Sequence, residues 1–217
     1  MSFEEALKKY LPEDLPNRER VAVLGARHLE LVREANRVMN LTRIVDEKEA
    51  AIKHVCDSVW PWRLFTDATS VLDAGTGAGF PGLPLSVVLP ATAFTLCESI
   101  QKKANFVASA AETLQLGNVT VEAVRVEEWL RANRTGIVTA RAMAPISKII
   151  SLLAPALKKG VKVLLYKGPD VESELAEASK EAKTRRIRMT IVERYELPEE
   201  FGSRTMVELS YEPLSSR

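Results

Sequence analysis

The stretch Val71-Leu72-Asp73-Ala74-Gly75-Thr76-Gly77-Ala78-Gly79-Phe80-Pro81-Gly82 constrains this chain more than any other, because an aliphatic run passes directly into closely spaced glycines and then a helical pattern. Glycine accepts positive φ and has no Cβ to hold a ligand away from the backbone, so the segment reads as a strand, a tight cradling turn and a helix. That is the first half of a βαβ unit. It commits the downstream chain to a largely parallel sheet with helices packed on its faces.

The rest of the chain keeps to that plan. Strand-like runs at 69–75, 93–99, 119–124, 136–142 and 161–167 alternate with helical patterns at 81–89, 99–116, 145–159 and 171–183, with Gly117 and Gly160 closing the second and third helices. Near-continuous apolar runs suit parallel strands buried on both faces. The last two runs, 189–197 and 205–211, leave no room for a helix between them and are expected to pair antiparallel. The expectation is about seven strands, mostly parallel, ending in one antiparallel hairpin. Residues 3–65 are helical instead: Leu24, Leu31, Val32, Ala35, Val38 and Met39 recur near the 3.6-residue period, with Asn17 as the expected N-cap. Two or three helices fit there. Residues 1–65 therefore read as an N-terminal helical cap and 66–217 as a Rossmann-like α/β domain.

As a bare pattern, Gly77-x-Gly79-x-x-Gly82 also satisfies the dinucleotide fingerprint, so spacing alone leaves a nicotinamide cofactor and another adenosyl ligand both open. Asp73 would repel a pyrophosphate and can position the loop beside a cationic ligand. Pro81 removes a helix-terminal N–H that a phosphate would use. Glu98 ends the second strand, 23 residues after Gly75, where a carboxylate can accept both ribose hydroxyls; this point is neutral, because NAD enzymes use the same device. The balance favours S-adenosyl-L-methionine.

Charge is unevenly spread: 30 basic and 29 acidic side chains nearly cancel overall, yet residues 101–167 hold 11 basic and 4 acidic ones. Such a local excess suits a nucleic-acid partner better than the total suggests. The cluster Lys180, Lys183, Arg185, Arg186 and Arg188 sits among glutamates and reads as a solvated face with ion pairs. Cys56 and Cys97, with two histidines in all, match no zinc spacing, so no metal is expected and the setting is a reducing, cytoplasmic one. Residues 1–20 lack an apolar core and no run of 18 apolar residues occurs, so neither a signal peptide nor a membrane span is expected.

The loop motif is preceded by Asn40-Leu41-Thr42 and His54-x-x-Asp57-Ser58, and followed by Lys102-Lys103, Arg125-Val126-Glu127, Arg141-Ala142 and Lys167-Gly168. As an ordered series this resembles the RsmG family (GidB, glucose-inhibited division protein B). The resemblance implies a class I S-adenosylmethionine-dependent methyltransferase fold and a bacterial enzyme acting on N7 of one guanine in 16S ribosomal RNA, free or in the small ribosomal subunit. It implies cofactor contacts at Gly75, Phe80, Val126, Glu127 and Arg141, beside which Asp73, Gly77 and Glu98 are the further candidates. No oligomer is implied. One departure is Ala35 before Asn36, where the family often has tryptophan.

On the substrate side the resemblance points to Asn40, His54 and Asp57. The last two are expected on one face of a helix beginning near Asp46, whereas His28 has no such support. Arg141 ends the fourth strand at the carboxyl edge where open α/β sheets bind ligands. A buried arginine needs a partner. Both an internal ion pair, to Asp73 or Glu127, and a ligand contact remain open. Arg125 and Lys167, with Lys102 and Lys103, point to the same edge and form an expected basic rim for RNA phosphates. Guanine N7 has a free lone pair and no proton to lose, so a general base is unnecessary and no catalytic residue is assigned. Cys97, inside a strand, is expected to be buried rather than nucleophilic. Two other readings are carried: an NAD(P)-dependent oxidoreductase, for which a proton donor is missing, and a non-catalytic RNA-binding protein on a methyltransferase fold, against which the intact loop stands.

Overall fold

The computed structural model describes residues 1–213, so the last four positions of the 66–217 unit lie outside the described residues. Seven strands form one sheet in the order β3-β2-β1-β4-β5-β7-β6. They are β1 (Ser70–Ala74), β2 (Ala93–Cys97), β3 (Val119–Glu122), β4 (Ile137–Arg141), β5 (Lys162–Lys167), β6 (Ile187–Glu196) and β7 (Ser203–Tyr211). The first five pair in parallel, while β7 runs antiparallel to both β5 and β6, with a bulge near Val192. The expected hairpin is present, its connection containing only a 3-10 turn at Pro198–Glu200. Chain order reverses direction between β1 and β4. That reversal opens a crevice above the carboxyl ends of these two strands, the place where ligands bind in such sheets.

Alternation along each strand divides the core into two layers. Val71, Phe94, Leu96, Leu164, Tyr166 and Met206 pack against the N-terminal helices, α5 (Gly82–Val88) and α6 (Gln101–Thr113). Leu72, Ala74, Val138, Val163, Leu165 and Val207 face α7 (Val126–Ala132), α8 (Ile146–Leu157) and α9 (Val171–Arg185). Helix α7 is an addition to the expected pattern. It is only seven residues long, but Val126 and Leu130 are buried at i,i+4 spacing, with Glu127 and Glu128 in its first turn and Arg131 in its last.

In the N-terminal region, α1 (Phe3–Tyr10) starts with a Ser2/Glu5 capping box and buries Phe3, Ala6 and Leu7. Helix α2 (Arg18–Met39) comes next. Asn17 does occupy its N-cap position, but in a left-handed conformation that turns the side chain away; its Nδ2 donates instead to the Val88 carbonyl at 3.2 Å. Then come α3 (Glu47–Ala50), a π-helical turn at Ala51–Cys56 and α4 (Asp57–Val59). Leu7, Leu29, Ile52 and Val55 are fully buried in the same cluster as Val71 and Phe94. Each such side chain contributes about 1.5–3 kcal/mol, and they join the helical segment to the sheet through one core. Among the described residues, no helix is long and apolar enough to cross a membrane.

Candidate active site

The turn after β1 is held by its neighbours' carboxylates. Asp73 is fully buried, and its Oδ2 accepts from Thr76 Oγ1 at 2.6 Å and from the Gly82 N–H at 2.9 Å. Burial pushes its carboxyl up to about 6, although Thr76, the Gly82 amide and Arg141 pull the other way. Asp73 therefore shapes the loop from beneath rather than facing solvent. Glu98, one residue beyond β2, accepts from the Gly77 N–H at 3.1 Å with one oxygen and from the Ile100 N–H at 2.9 Å with the other. The amides of Gly75 and Thr76 both donate to the Cys97 carbonyl.

The glycines divide into two kinds. A Cβ on Gly82 would lie 2.8 Å from both Asp73 Oδ2 and Leu96 Cγ, and one on Gly79 would lie 2.6 Å from Leu83 Cδ1, so these two allow close internal packing. A Cβ on Gly77 would meet only the Gly75 carbonyl, at 4.0 Å, although its φ is +62°. Space beside Gly77 is thus open, and only a glycine-like backbone lines it without a side chain in front.

Beside this cradle stands an aromatic stack. Phe80 is buried, with its ring centroid 4.5 Å from that of His28 and 4.8 Å from that of His54. The Arg141 guanidinium lies 5.4 Å from the same ring. Burial, reinforced by the fields of Arg141, His28 and Lys53, pushes His54 down to about 3, so the imidazole is neutral. Its Nε2 lies 2.9 Å from Thr42 Oγ1, which also accepts the Ile44 N–H. Thr42 is in turn clamped by Asn36, whose side chain bonds both its carbonyl and its amide. Asn40 is exposed and left-handed at the C-cap of α2; it ends the helix and does not line the crevice. In Asn40-Leu41-Thr42 it is Thr42 that reaches the site.

A cleft of about 720 Å³ opens between the helical segment and the ends of β4 and β5, walled by His54, Asp57, Arg141, Met143, Lys167 and Arg204 among others. His54, inside the π turn, and Asp57, the first residue after it, both border the cleft but do different things. Asp57 is buried, and its carboxylate takes Arg141 Nη1 at 3.1 Å, Tyr195 Oη at 3.0 Å and Arg204 Nε at 3.4 Å. Arg141 Nη1 is also within reach of the Lys53 and His54 carbonyls, at 3.0 and 3.3 Å. The internal partner of Arg141 is therefore Asp57 on the helical segment, not Asp73 or Glu127. Strand alternation puts Arg141 on the face that this segment covers. Tyr166, paired with Arg141 across β4 and β5, donates its hydroxyl to the Ser58 carbonyl at 2.7 Å.

Two further expectations need correction. Lys167 is not a free rim cation: its Nζ, on a side chain 10% exposed, sits 2.7 Å from Glu174 and 3.1 Å from the Ala144 carbonyl, and Glu174 also accepts the Ile146 N–H. It fastens the segment after β4. Glu127, implied as a cofactor contact and not the partner of Arg141, lies in the first turn of the unexpected α7, with Val126 buried beside it and Arg125 exposed at the N-cap. Lys102 and Lys103 open α6, leaving Lys102 and Arg125 as solvent-facing cations on the carboxyl edge of β2 and β3. Cys97 is buried as expected. Tyr166, Tyr195, Arg204 and His28 are site residues that sequence reasoning missed, and Thr42 stood in a quoted motif without being singled out. Of the four missed, Tyr166 left a signal, as the neighbour of Lys167 on a buried strand.

Known proteins share both the sequence and the fold. The family model described as rRNA small subunit methyltransferase G matches residues 25–200. The Ribosomal RNA small subunit methyltransferase G of Solibacter usitatus (strain Ellin6076) is 57% identical over 209 residues, covering 96% of this chain and all of the relative. Among solved structures, cofactor-bound Rv0187 from MTB aligns with a TM-score of 0.61 at 14% identity, over 87% of this chain and 89% of that one. The O-methyltransferase TomG of Streptomyces achromogenes, in complex with SAM, aligns at 0.57 and 14% identity, over 85% and 90% of the two chains. At that identity the structural likeness bears on the fold alone.

Proposed function

The chain belongs to the rRNA small subunit methyltransferase G family, and on that premise we propose that it moves the methyl of S-adenosylmethionine to N7 of one guanine in 16S ribosomal RNA. It is an S-adenosylmethionine-dependent rRNA methyltransferase, and the oxidoreductase and non-catalytic readings are not favoured. The observation that carries the cofactor assignment is the cradle at Gly77, an open space at the β1/β4 reversal lined by backbone without a side chain, its N–H held by Glu98. Gly75, Gly77 and Glu98 would hold the cofactor on one side, and Val126 and Glu127, at the start of α7, on the other. Asp73 acts through the loop. Phe80 and Arg141 form the wall between donor and cleft. Residues 1–65 serve as a cap over the substrate, and an RNA substrate accords with a cytoplasmic setting.

When bound, the cofactor supplies a methyl already activated on a sulfonium. The residues here need only hold the acceptor, and such positioning supplies about 7–11 kcal/mol of a barrier. A neutral His54 suits the cleft wall, because a charged imidazolium would oppose the positive charge that N7 alkylation places on the base. Lys102 and Arg125 are the rim cations for RNA phosphates. The test is transfer of labelled methyl to small-subunit RNA, with mapping of the modified base. Label on guanine N7 is expected; no label, or label elsewhere, overturns the assignment.

A further inference from the structure

His28 lies on α2, outside every motif that marked the site, yet the glycine turn is packed on it from three directions. Its Nε2 is 2.7 Å from the Ala78 carbonyl, so that nitrogen carries the proton and donates it. Its Cε1 stands 3.2 Å from where a Cβ on residue 79 would be, a close approach with no other group nearer than Leu83. Its ring face covers Phe80. Three consecutive residues of the turn, 78 to 80, thus take their position from one side chain that is 1% exposed.

The chemistry of that side chain is informative. Nδ1 is buried and finds no partner among the described residues. A buried acceptor left unmet is unfavourable, and an apolar ring of similar size would fill the space without it. What histidine adds over such a ring is the Nε2–H that fixes Ala78. Burial pushes the imidazole down to about 4, which keeps it neutral beside neutral His54. From Phe80 the stack continues to His54 and its Thr42 partner at the cleft wall.

We propose that His28 is a positioning residue for the methyl donor: its hydrogen bond to Ala78 sets the backbone of the turn that leaves the open space beside Gly77, and its ring, through Phe80, sets the orientation of His54 toward the acceptor base. The inference rests on the donor lying at Gly77. It separates two jobs within one side chain, an N–H for the donor cradle and a ring face for the cleft.

The test uses the full chain and compares wild type with His28→Gln, which keeps a donor and loses the ring, and His28→Phe, which keeps the ring and loses the donor. Calorimetry with S-adenosylhomocysteine reads the cradle; methyl transfer to small-subunit RNA reads the cleft; thermal unfolding reports folding. His28→Phe is expected to bind S-adenosylhomocysteine about tenfold more weakly with RNA KM unchanged, the loss of one hydrogen bond. His28→Gln is expected to bind it within about threefold of wild type but to show a lower kcat. In wild type, the His28 Nε2–H resonance is expected to persist in water and to move when S-adenosylhomocysteine is added. A His28→Phe variant that binds like wild type, a His28→Gln variant with wild-type kcat, losses that only track the melting temperature, or a resonance that does not move would each overturn the proposal while leaving the donor assignment intact. Failure of wild type itself to bind S-adenosylhomocysteine would overturn that assignment and this inference with it.

Discussion

Asp73 finds its partners Thr76 and Gly82 only 3 and 9 residues away along the chain, whereas Asp57 reaches Arg141 across 84 residues, Tyr195 across 138 and Arg204 across 147. Both carboxylates are buried at the same edge of one sheet. The first bends a local backbone around an open space; the second ties two layers of the molecule together. Damage to the first should therefore appear mainly in ligand binding, and damage to the second mainly in stability.

The sharpest way to break that contrast is Asp57→Ala. Two arginines would lose their buried counter-charge, and unfolding stability is expected to fall by about 3–5 kcal/mol in urea titration. A loss below about 1 kcal/mol would mean that the clasp is not what joins the layers. Next in size come two glycines of the turn. Gly82→Ala forces a methyl against Asp73 and Leu96 and is expected to cost about 1–3 kcal/mol together with donor binding. Gly77→Ala meets open space, so about 1 kcal/mol of φ strain is expected, with S-adenosylhomocysteine affinity falling far more than stability. If Gly77→Ala binds S-adenosylhomocysteine normally, the cradle is elsewhere.

Acid acts on the turn and its neighbours in two opposed ways. His28 and His54 are lowered from 6.5 to about 4 and about 3, so below pH 6.5 the unfolded chain takes up protons that the folded one refuses. Their contribution is intact above pH 6.5 and is lost as the pH falls toward 4 and then 3. Asp73, raised from 3.8 to about 6, acts oppositely: between those values the folded state holds the extra proton, which favours folding. Asp73→Asn is accordingly expected to steepen the loss of stability between pH 6.5 and 4, read as urea midpoints. An unchanged slope would remove Asp73 from the balance. The smallest effects belong to the rim. Lys102→Gln and Arg125→Gln are expected to leave stability within about 0.5 kcal/mol, while each makes the salt dependence of RNA binding shallower by about one. Lys167→Gln is expected to leave that slope alone, since its charge is already spent on Glu174.

Legibility in the residue order divides along the same line. The five parallel strands, the closing hairpin and the glycine turn all rest on contacts between near neighbours or on strand periodicity, and these leave marks in the sequence. Asp73 is an example, bonded to the turn it was expected to position, whereas Glu98, read as a ribose acceptor, has its oxygens on the Gly77 and Ile100 N–H groups. Arg141 was legible only in part: its strand and its need for a partner were visible, but the partner depended on how the helical segment docks. Lys167 stood in the right place and was misjudged because Glu174 lies on the next helix. Helix α7 escaped notice because seven residues with two buried positions make too short a period.

The π turn at Ala51–Cys56 has a consequence for how this protein can vary. An ordinary helix advances about 100° per residue, so removing one residue from the turn would swing everything beyond it by more than a quarter of a circle. Asp57 would then face away from both arginines, and a deletion ahead of His54 would carry His54 with it. Chain length in this short segment acts as a phase setting: its number of residues fixes where Asp57 points as firmly as the side chains themselves do.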